Sequence, residues 1–179
     1  NGFESDGAEA IAYATDLGVT VTSNSYTGTS YTQTMKDVID EADAAGILFV
    51  AAAGNNTSNI DNSPEYPAAY DSANILSVAA TTRTDGLASF SNYGATSVDL
   101  AAPGYEIYST IHNGGYGYKN GTSMAAPHVA GACALLKSYK PDLSHMQVRE
   151  LILSTTNPLP EMSGKSVTGG RLNLYNAML

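Results

Sequence analysis

A serine stands inside a run of small residues, Asn120-Gly121-Thr122-Ser123-Met124-Ala125-Ala126-Pro127-His128-Val129-Ala130-Gly131, that reads as a sharp turn leading into a helix. Gly121 can take backbone angles closed to other residues, so the chain can turn tightly just ahead of Ser123. Pro127 is expected to fall within the first turns, where few amide donors have partners. Ser123 is thereby placed at a helix N-terminus, where unpaired N–H groups and the helix dipole favour negative charge. A serine nucleophile and the oxyanion it generates are best placed there. The competing role for Thr122 or Ser123 is an N-cap, the ordinary duty of a hydroxyl ahead of an apolar run.

Such a serine needs elements to hold it. Residues 7–17 predict a helix with Ala8, Ile11, Ala12 and Thr15 on one face and Gly18 as its stop. Val19–Thr22 is a short β-branched strand. A second helix, capped by Thr32 or Thr34, runs to Ala45 with Met35, Val38, Ile39 and Ala42 as its buried stripe. Ile47–Ala53 is apolar without alternation, as expected of a parallel strand covered on both faces, and Ile75–Ala80 is similar. Asn55–Ser63 is a polar loop, Ser89–Gly94 a turn, and Val98–Ala102 a strand closed by Pro103-Gly104. Residues 105–118 form a hairpin turning at Gly114-Gly115. Ser144 caps a helix to Ser154 with Gln147 at capping-box spacing, and a last short helix follows Arg171. Strands alternating with helices predict an α/β fold: a three-layer, mostly parallel twisted sheet with helices on both faces. Asn24-Ser25, Gly54-Asn55 and Ser123 then lie at strand ends or a helix start and converge on one rim, where ligands sit in such sheets.

The 179 residues suit one sizeable core, with 43% apolar and 14% charged residues. A net charge of −9 and a pI near 4.5 argue against nucleic acid and anionic membrane surfaces as partners. No apolar run is long enough to span a bilayer as a helix. Cys133, the single cysteine, reads as buried packing and excludes an internal disulfide. The chain opens at Asn1 with neither a methionine nor a signal peptide, which suggests a trimmed product.

The string Gly121 to Gly131 resembles the nucleophile motif of the subtilisin-like serine proteases at every fixed position. Ala51-Ala52-Ala53-Gly54-Asn55 resembles that family's oxyanion segment, and Ser89–Gly94 and Ala101-Ala102-Pro103-Gly104 add support. The resemblance covers nearly the whole chain and corresponds to the C-terminal two-thirds of a subtilisin-like catalytic domain, so residues 1–179 are taken as a partial peptidase domain. It implies a serine endopeptidase in which Ser123 is the nucleophile and the Asn55 side-chain amide, with the Ser123 N–H, holds the oxyanion. Losing such a donor costs on the order of a hundredfold or more in turnover, a figure that comes from this family. Asn55-Asn56-Thr57 is also a glycosylation sequon, the competing reading for Asn55. Ser25, Tyr26, Thr27, Ala53 and Gly54 correspond to the substrate-binding walls, although Tyr26-Thr27-Gly28 stands where Leu-Gly or Trp-Gly is commoner. Glu65 corresponds to the base of the pocket for the side chain preceding the cut; its plain alternative is a solvent-facing loop carboxylate.

The family's triad Asp and His come from segments before the region resembled here. His128 lies five positions after Ser123, about 140° around the helix, as a packed helix residue. His112 in a glycine-rich loop and His145 in the first turn of a surface helix are expected to be solvated, and Asp99 is a structural strand end. The expected partners are therefore protein or peptide substrates and an N-terminal segment of the same protease domain that supplies Asp and His. No cofactor is required, and no metal-ligand spacing is present. The resemblance leaves room for a structural calcium or sodium ion held by loop carbonyls around Ala68, Tyr70 and Ala73, and it implies secretion. An inactive homologue that binds peptides is the binding-class alternative. A different α/β hydrolase would need a Gly-x-Ser-x-Gly elbow, which is absent around Ser123.

Overall fold

The computed structural model describes residues 3–179. At its centre, β2 (Leu48–Ala52) and β3 (Ile75–Thr81) are buried at every position. Successive side chains point to opposite faces of a strand, so an unbroken apolar run serves two cores at once. Leu48, Val50 and Ala52 join one cluster, while Phe49, Ala51 and Ala53 join the other. β1 (Val21–Asn24), β2, β3 and β4 (Leu100–Pro103) run parallel in that order. The sheet continues through β8 (Gly170–Arg171), parallel to β4, to β7 (Asn157–Pro158), antiparallel to β8.

One face is covered by α1 (Glu4–Asp16) and α2 (Gln33–Ala44), through Ala8, Ile11, Met35, Ile39 and Ala42. The other is covered by α3 (Thr122–Tyr139), α4 (His145–Ser154) and α5 (Leu174–Met178), through Ala125, Ala126, Val129, Val148, Ile152 and Ala177. This is the three-layer, mostly parallel α/β arrangement that the alternation of elements predicted. Cys133 is fully buried in the α3 core, and burial pushes its thiol up to about 12, which leaves it neutral and inert.

Local chemistry explains most boundaries. Thr32 caps α2 by accepting from the Met35 N–H, and Ser144 and Gln147 form the full capping box at α4. Gly18 and Gly46 end their helices at φ 64° and 83°, in the left-handed region open to glycine. Three expectations shift. α1 starts a turn earlier, at Glu4, and β1 lies two residues later than Val19–Thr22, because Asn24 pairs in register with Ala51. The hairpin strands are β5 (Ile107–Thr110) and β6 (Tyr116–Lys119), joined by a 3-10 turn at His112–Gly114 rather than by Gly114-Gly115 alone. β7 and β8 are additional to the expected strands, since two residues carry no detectable period and include Pro158 and Gly170.

The sheet is sewn to the start of α3 at Gly104. Its N–H donates to Thr81 O (3.0 Å), and its carbonyl accepts from the Gly121 N–H (2.9 Å). A Cβ on Gly104 would lie 2.6 Å from Ala80 Cβ and 2.7 Å from Gly121 O. Gly104→Ala is therefore expected to destabilise by about 1–3 kcal/mol through overpacking, seen as a fall in Tm of roughly 2–12 °C by calorimetry. An unchanged Tm would mean that the junction yields freely.

Candidate active site

Ser123 occupies the second position of α3, directly after the turn at Gly121, whose φ is 152°. Its Oγ donates to Ser25 O (3.2 Å), while Ser25 Oγ donates to Ser123 O (2.9 Å). Pro127 makes that second bond available. It falls in the second turn of α3, four residues after Ser123, so in the helical ladder it is the residue that would donate to Ser123 O. Having no N–H, it leaves that carbonyl to the Ser25 hydroxyl. The strand end at Ser25 and the candidate nucleophile thus hold one another.

Asn55 stands in the exposed loop after β2. Its Oδ1 accepts from both the backbone N–H (2.9 Å) and the hydroxyl (3.1 Å) of Thr122. A backbone amide only donates, so the atom facing it must be the oxygen, and Nδ2 is turned the other way. Among the described residues, Nδ2 has no hydrogen-bond partner and remains available as a donor. The Thr122 hydroxyl, in turn, accepts from the Gly54 N–H (3.1 Å). Fully buried, Thr122 is the positioning group that sequence reading treated only as a cap.

The candidate substrate walls meet beside this ring. Gly28 and Tyr66 exchange two backbone bonds (2.8 and 2.7 Å), tying the segment after Ser25 to the segment that carries Glu65. Glu65 does not face solvent: it is 5% exposed, and its Oε1 accepts from Asn56 Nδ2 at 2.6 Å. Gly54, at φ 105°, is pressed against it; a Cβ there would lie 2.3 Å from Glu65 Oε2 and 2.2 Å from Asn92 Nδ2. Ala53 is fully buried, with its side chain in the core beneath α1 and α2, so it does not line the surface. Tyr26 and Thr27 border a cavity of about 660 Å³ reaching Gly7 and Met35. Burial, with Tyr70 and Glu4 nearby, pushes the Tyr26 phenol up to about 12, so it stays neutral.

Residues 1–174 match the Peptidase_S8 subtilase family. The chain belongs to the subtilase family. It is 42% identical over 178 residues to the thermophilic serine proteinase of Bacillus sp. (strain AK1), covering 99% of this chain and 42% of that one. Subtilisin DY of Bacillus licheniformis is 45% identical over 150 residues, covering 83% of this chain and 54% of that protein. Among solved structures, a protease of Pseudoalteromonas arctica PAMC 21717 superposes with a TM-score of 0.88 at 32% identity, over 99% of this chain and 59% of that one. The chain spans about half the length of the curated relatives it matches.

No histidine of this subtilase chain bonds to Ser123 among the described residues. His112 is exposed in the hairpin turn. His128 is exposed rather than packed, with Nδ1 2.8 Å from Met124 O, because the outward face of α3 that also bears Pro127 and Leu135 is uncovered among the described residues. His145 is not freely solvated; its Nε2 lies 2.7 Å from Asp43 Oδ1, bridging α4 to α2. Asp99 accepts from Arg149 Nη2 and from the Ser77 N–H, both at 2.8 Å. Burial nevertheless raises its carboxyl above the ordinary range, against the opposing pull of Arg149 and Ser77. Beside it, Ala68, Tyr70 and Ala73 line a cavity of about 330 Å³. Their carbonyls accept no hydrogen bond among the described residues. Among the described residues, no three His, Cys, Asp or Glu side chains stand together as a metal site.

Thr122→Val keeps the volume but removes the hydroxyl that links Gly54 to Asn55. The buried Gly54 N–H is then left unsatisfied, at a cost of about 1–3 kcal/mol, which denaturant unfolding would report. At the far end of the Asn55 loop, Asp61 Oδ1 accepts from the Thr96 N–H (3.2 Å), the Thr96 hydroxyl (2.8 Å) and the Ser97 N–H (2.9 Å). Burial pushes the Asp61 carboxyl up, but these bonds outweigh it and leave the group below its ordinary value. A depressed folded value means that the contribution is present above the unfolded value of about 3.9 and is lost as pH falls through the folded one. Asp61→Asn should lower Tm at neutral pH, and the gap from the parent should close in acid. A gap constant with pH would count against the assignment.

Proposed function

We propose that this chain is the nucleophile-bearing part of a secreted serine endopeptidase. Peptide bonds are cleaved through an acyl-enzyme on Ser123, while Asn55 Nδ2 and the Ser123 N–H receive the oxyanion. The observation that carries this reading is the orientation of Asn55. Its oxygen is pinned by Thr122, the residue before Ser123, which leaves its amide nitrogen free to donate to another group. Family membership and similarity to named proteinases support the same chemistry. No signal in the chain itself speaks to secretion, which rests on that resemblance; no described helix is long and apolar enough to cross a membrane.

The base is supplied from outside residues 1–179, by an upstream segment of the same protease domain carrying the triad Asp and His. Two surfaces favour such a partner. β1 pairs with β2 alone among the described residues, leaving its other edge open. The face of α3 bearing Pro127, His128, Gly131 and Leu135 is exposed although the helix is rich in small apolar residues. Such an edge and such a face favour association.

Without a base, Ser123 remains a neutral alcohol, and the oxyanion site alone is worth roughly 10³–10⁴ over water, a figure from this family. Incubation of the isolated chain with a fluorophosphonate probe should leave Ser123 unlabelled, and labelling should appear once the upstream segment is restored. Rapid labelling of the chain alone would overturn the division of the triad. Restored protein that binds peptides yet never labels would instead identify an inactive homologue.

Glu65, buried between Gly54 and Asn56, gives the pocket a carboxylate and so a preference for Lys or Arg before the cut, since a partly desolvated opposite charge attracts more strongly than one in water. With peptides differing only at that residue, the restored enzyme should favour Lys and Arg over Leu and Phe by at least about tenfold in kcat/KM, and Glu65→Gln should abolish the preference. An unchanged ratio would place the carboxylate outside the pocket. A structural cation at the Ala68, Tyr70 and Ala73 carbonyls belongs to the same proposal.

A further inference from the structure

Asn55 lies on an exposed loop, and Thr122 fixes only its side-chain oxygen. An amide aimed at a developing charge needs its backbone fixed as well, because a donor displaced by a fraction of an ångström loses much of its effect. The side chain that fixes this backbone is Asn92, fully buried in the Ser89–Gly94 turn. Asn92 Oδ1 accepts from the N–H groups of Asn56 and Ser58, each at 2.9 Å. Its Nδ2 donates to Ala53 O at 2.9 Å, and its own backbone N–H donates to Gly54 O at 2.9 Å. These bonds bracket Asn55 on both sides. The turn that bears Asn92 is itself tied to the sheet, since Ser91 Oγ accepts from the Ala80 N–H (2.9 Å) and donates to Asn92 O (2.9 Å).

We propose that Asn92 is a positioning residue for the oxyanion donor, setting the backbone on either side of Asn55 so that Nδ2 points where charge develops. The amide serves both ends of the clamp, its oxygen accepting on one side and its nitrogen donating on the other. Aspartate would retain the acceptor for Asn56 and Ser58 but would turn an oxygen towards Ala53 O and bury a charge. This inference rests on the oxyanion role of Asn55.

The test is a double-mutant cycle in the protease carrying its upstream segment, with kcat and KM measured on a peptide substrate. Asn92→Ala should lower kcat by at least about tenfold, with KM changed by less than about twofold. In an Asn55→Ala background the same change should lower kcat by less than about twofold, because the donor it positions is gone. An equal loss in both backgrounds, or an unchanged kcat in the parent, would overturn the proposal. Should Asn92→Ala fail to fold, Asn92→Asp, which keeps the acceptor side, carries the same cycle; failure of both to fold would make Asn92 scaffold and refute a positioning role. Failure of the oxyanion reading would show separately, as an Asn55→Ala enzyme with unchanged kcat, and would take this inference with it.

Discussion

The start of α3 must be fixed against the ends of β1 and β2, because Ser123 and Asn55, the candidate catalytic residues of this chain, lie at that junction. A helix N-terminus offers unpaired N–H groups, and here one of them, on Thr122, is used to capture the Asn55 oxygen rather than left to solvent. The Thr122 hydroxyl extends the same contact to the Gly54 amide. Hydrogen bonds of this kind add little net stability each but are costly to leave unmade once buried. The junction is therefore held in one arrangement, and the loop, the turn at Gly121 and Ser123 are held with it.

Close packing is what brings that junction together. α3 approaches the sheet through Ala125, Ala126, Val129 and Ala132, all buried, and Gly104 leaves space for Ala80 and Gly121. Larger side chains at these places would lift the helix off the strands and break the contacts between Ser25 and Ser123. Pro127 does related work from within the helix. Its missing N–H frees the Ser123 carbonyl for Ser25, so an apparent defect in the helical ladder becomes a tie between helix and sheet.

The same economy governs the candidate pocket. Gly54 leaves the space that a Cβ would take from Asn92 and Glu65, and Glu65 accepts a hydrogen bond from Asn56, the residue next to the proposed oxyanion donor. Placement of Asn55, the proposed oxyanion donor, and of Glu65, the proposed pocket carboxylate, is thus mechanically joined through one short loop. That loop carries a left-handed Thr57 (φ 56°) as well as the left-handed Gly54 (φ 105°), and Asn92 and Asp61 hold it from its two ends.

Much of this was legible in the chain alone. Ile47–Ala53 and Ile75–Ala80 announced covered parallel strands because both faces of each must be apolar, and Ser144 with Gln147 announced a helix start because the capping box is a local exchange of bonds. The strings that resemble the family's nucleophile and oxyanion motifs could be recognised for the same reason: the resemblance is carried by consecutive residues. What the tertiary structure decided depends on partners distant in sequence. Thr122 is 67 residues from Asn55, and Asn92 is 36 from Asn56, and no periodicity or spacing encodes such a meeting. The burial of Glu65, the exposure of His128 and the pairing of His145 with Asp43 have the same origin. A side chain's environment is set by what the fold brings against it, whereas local sequence sets only the shape of the element that carries it.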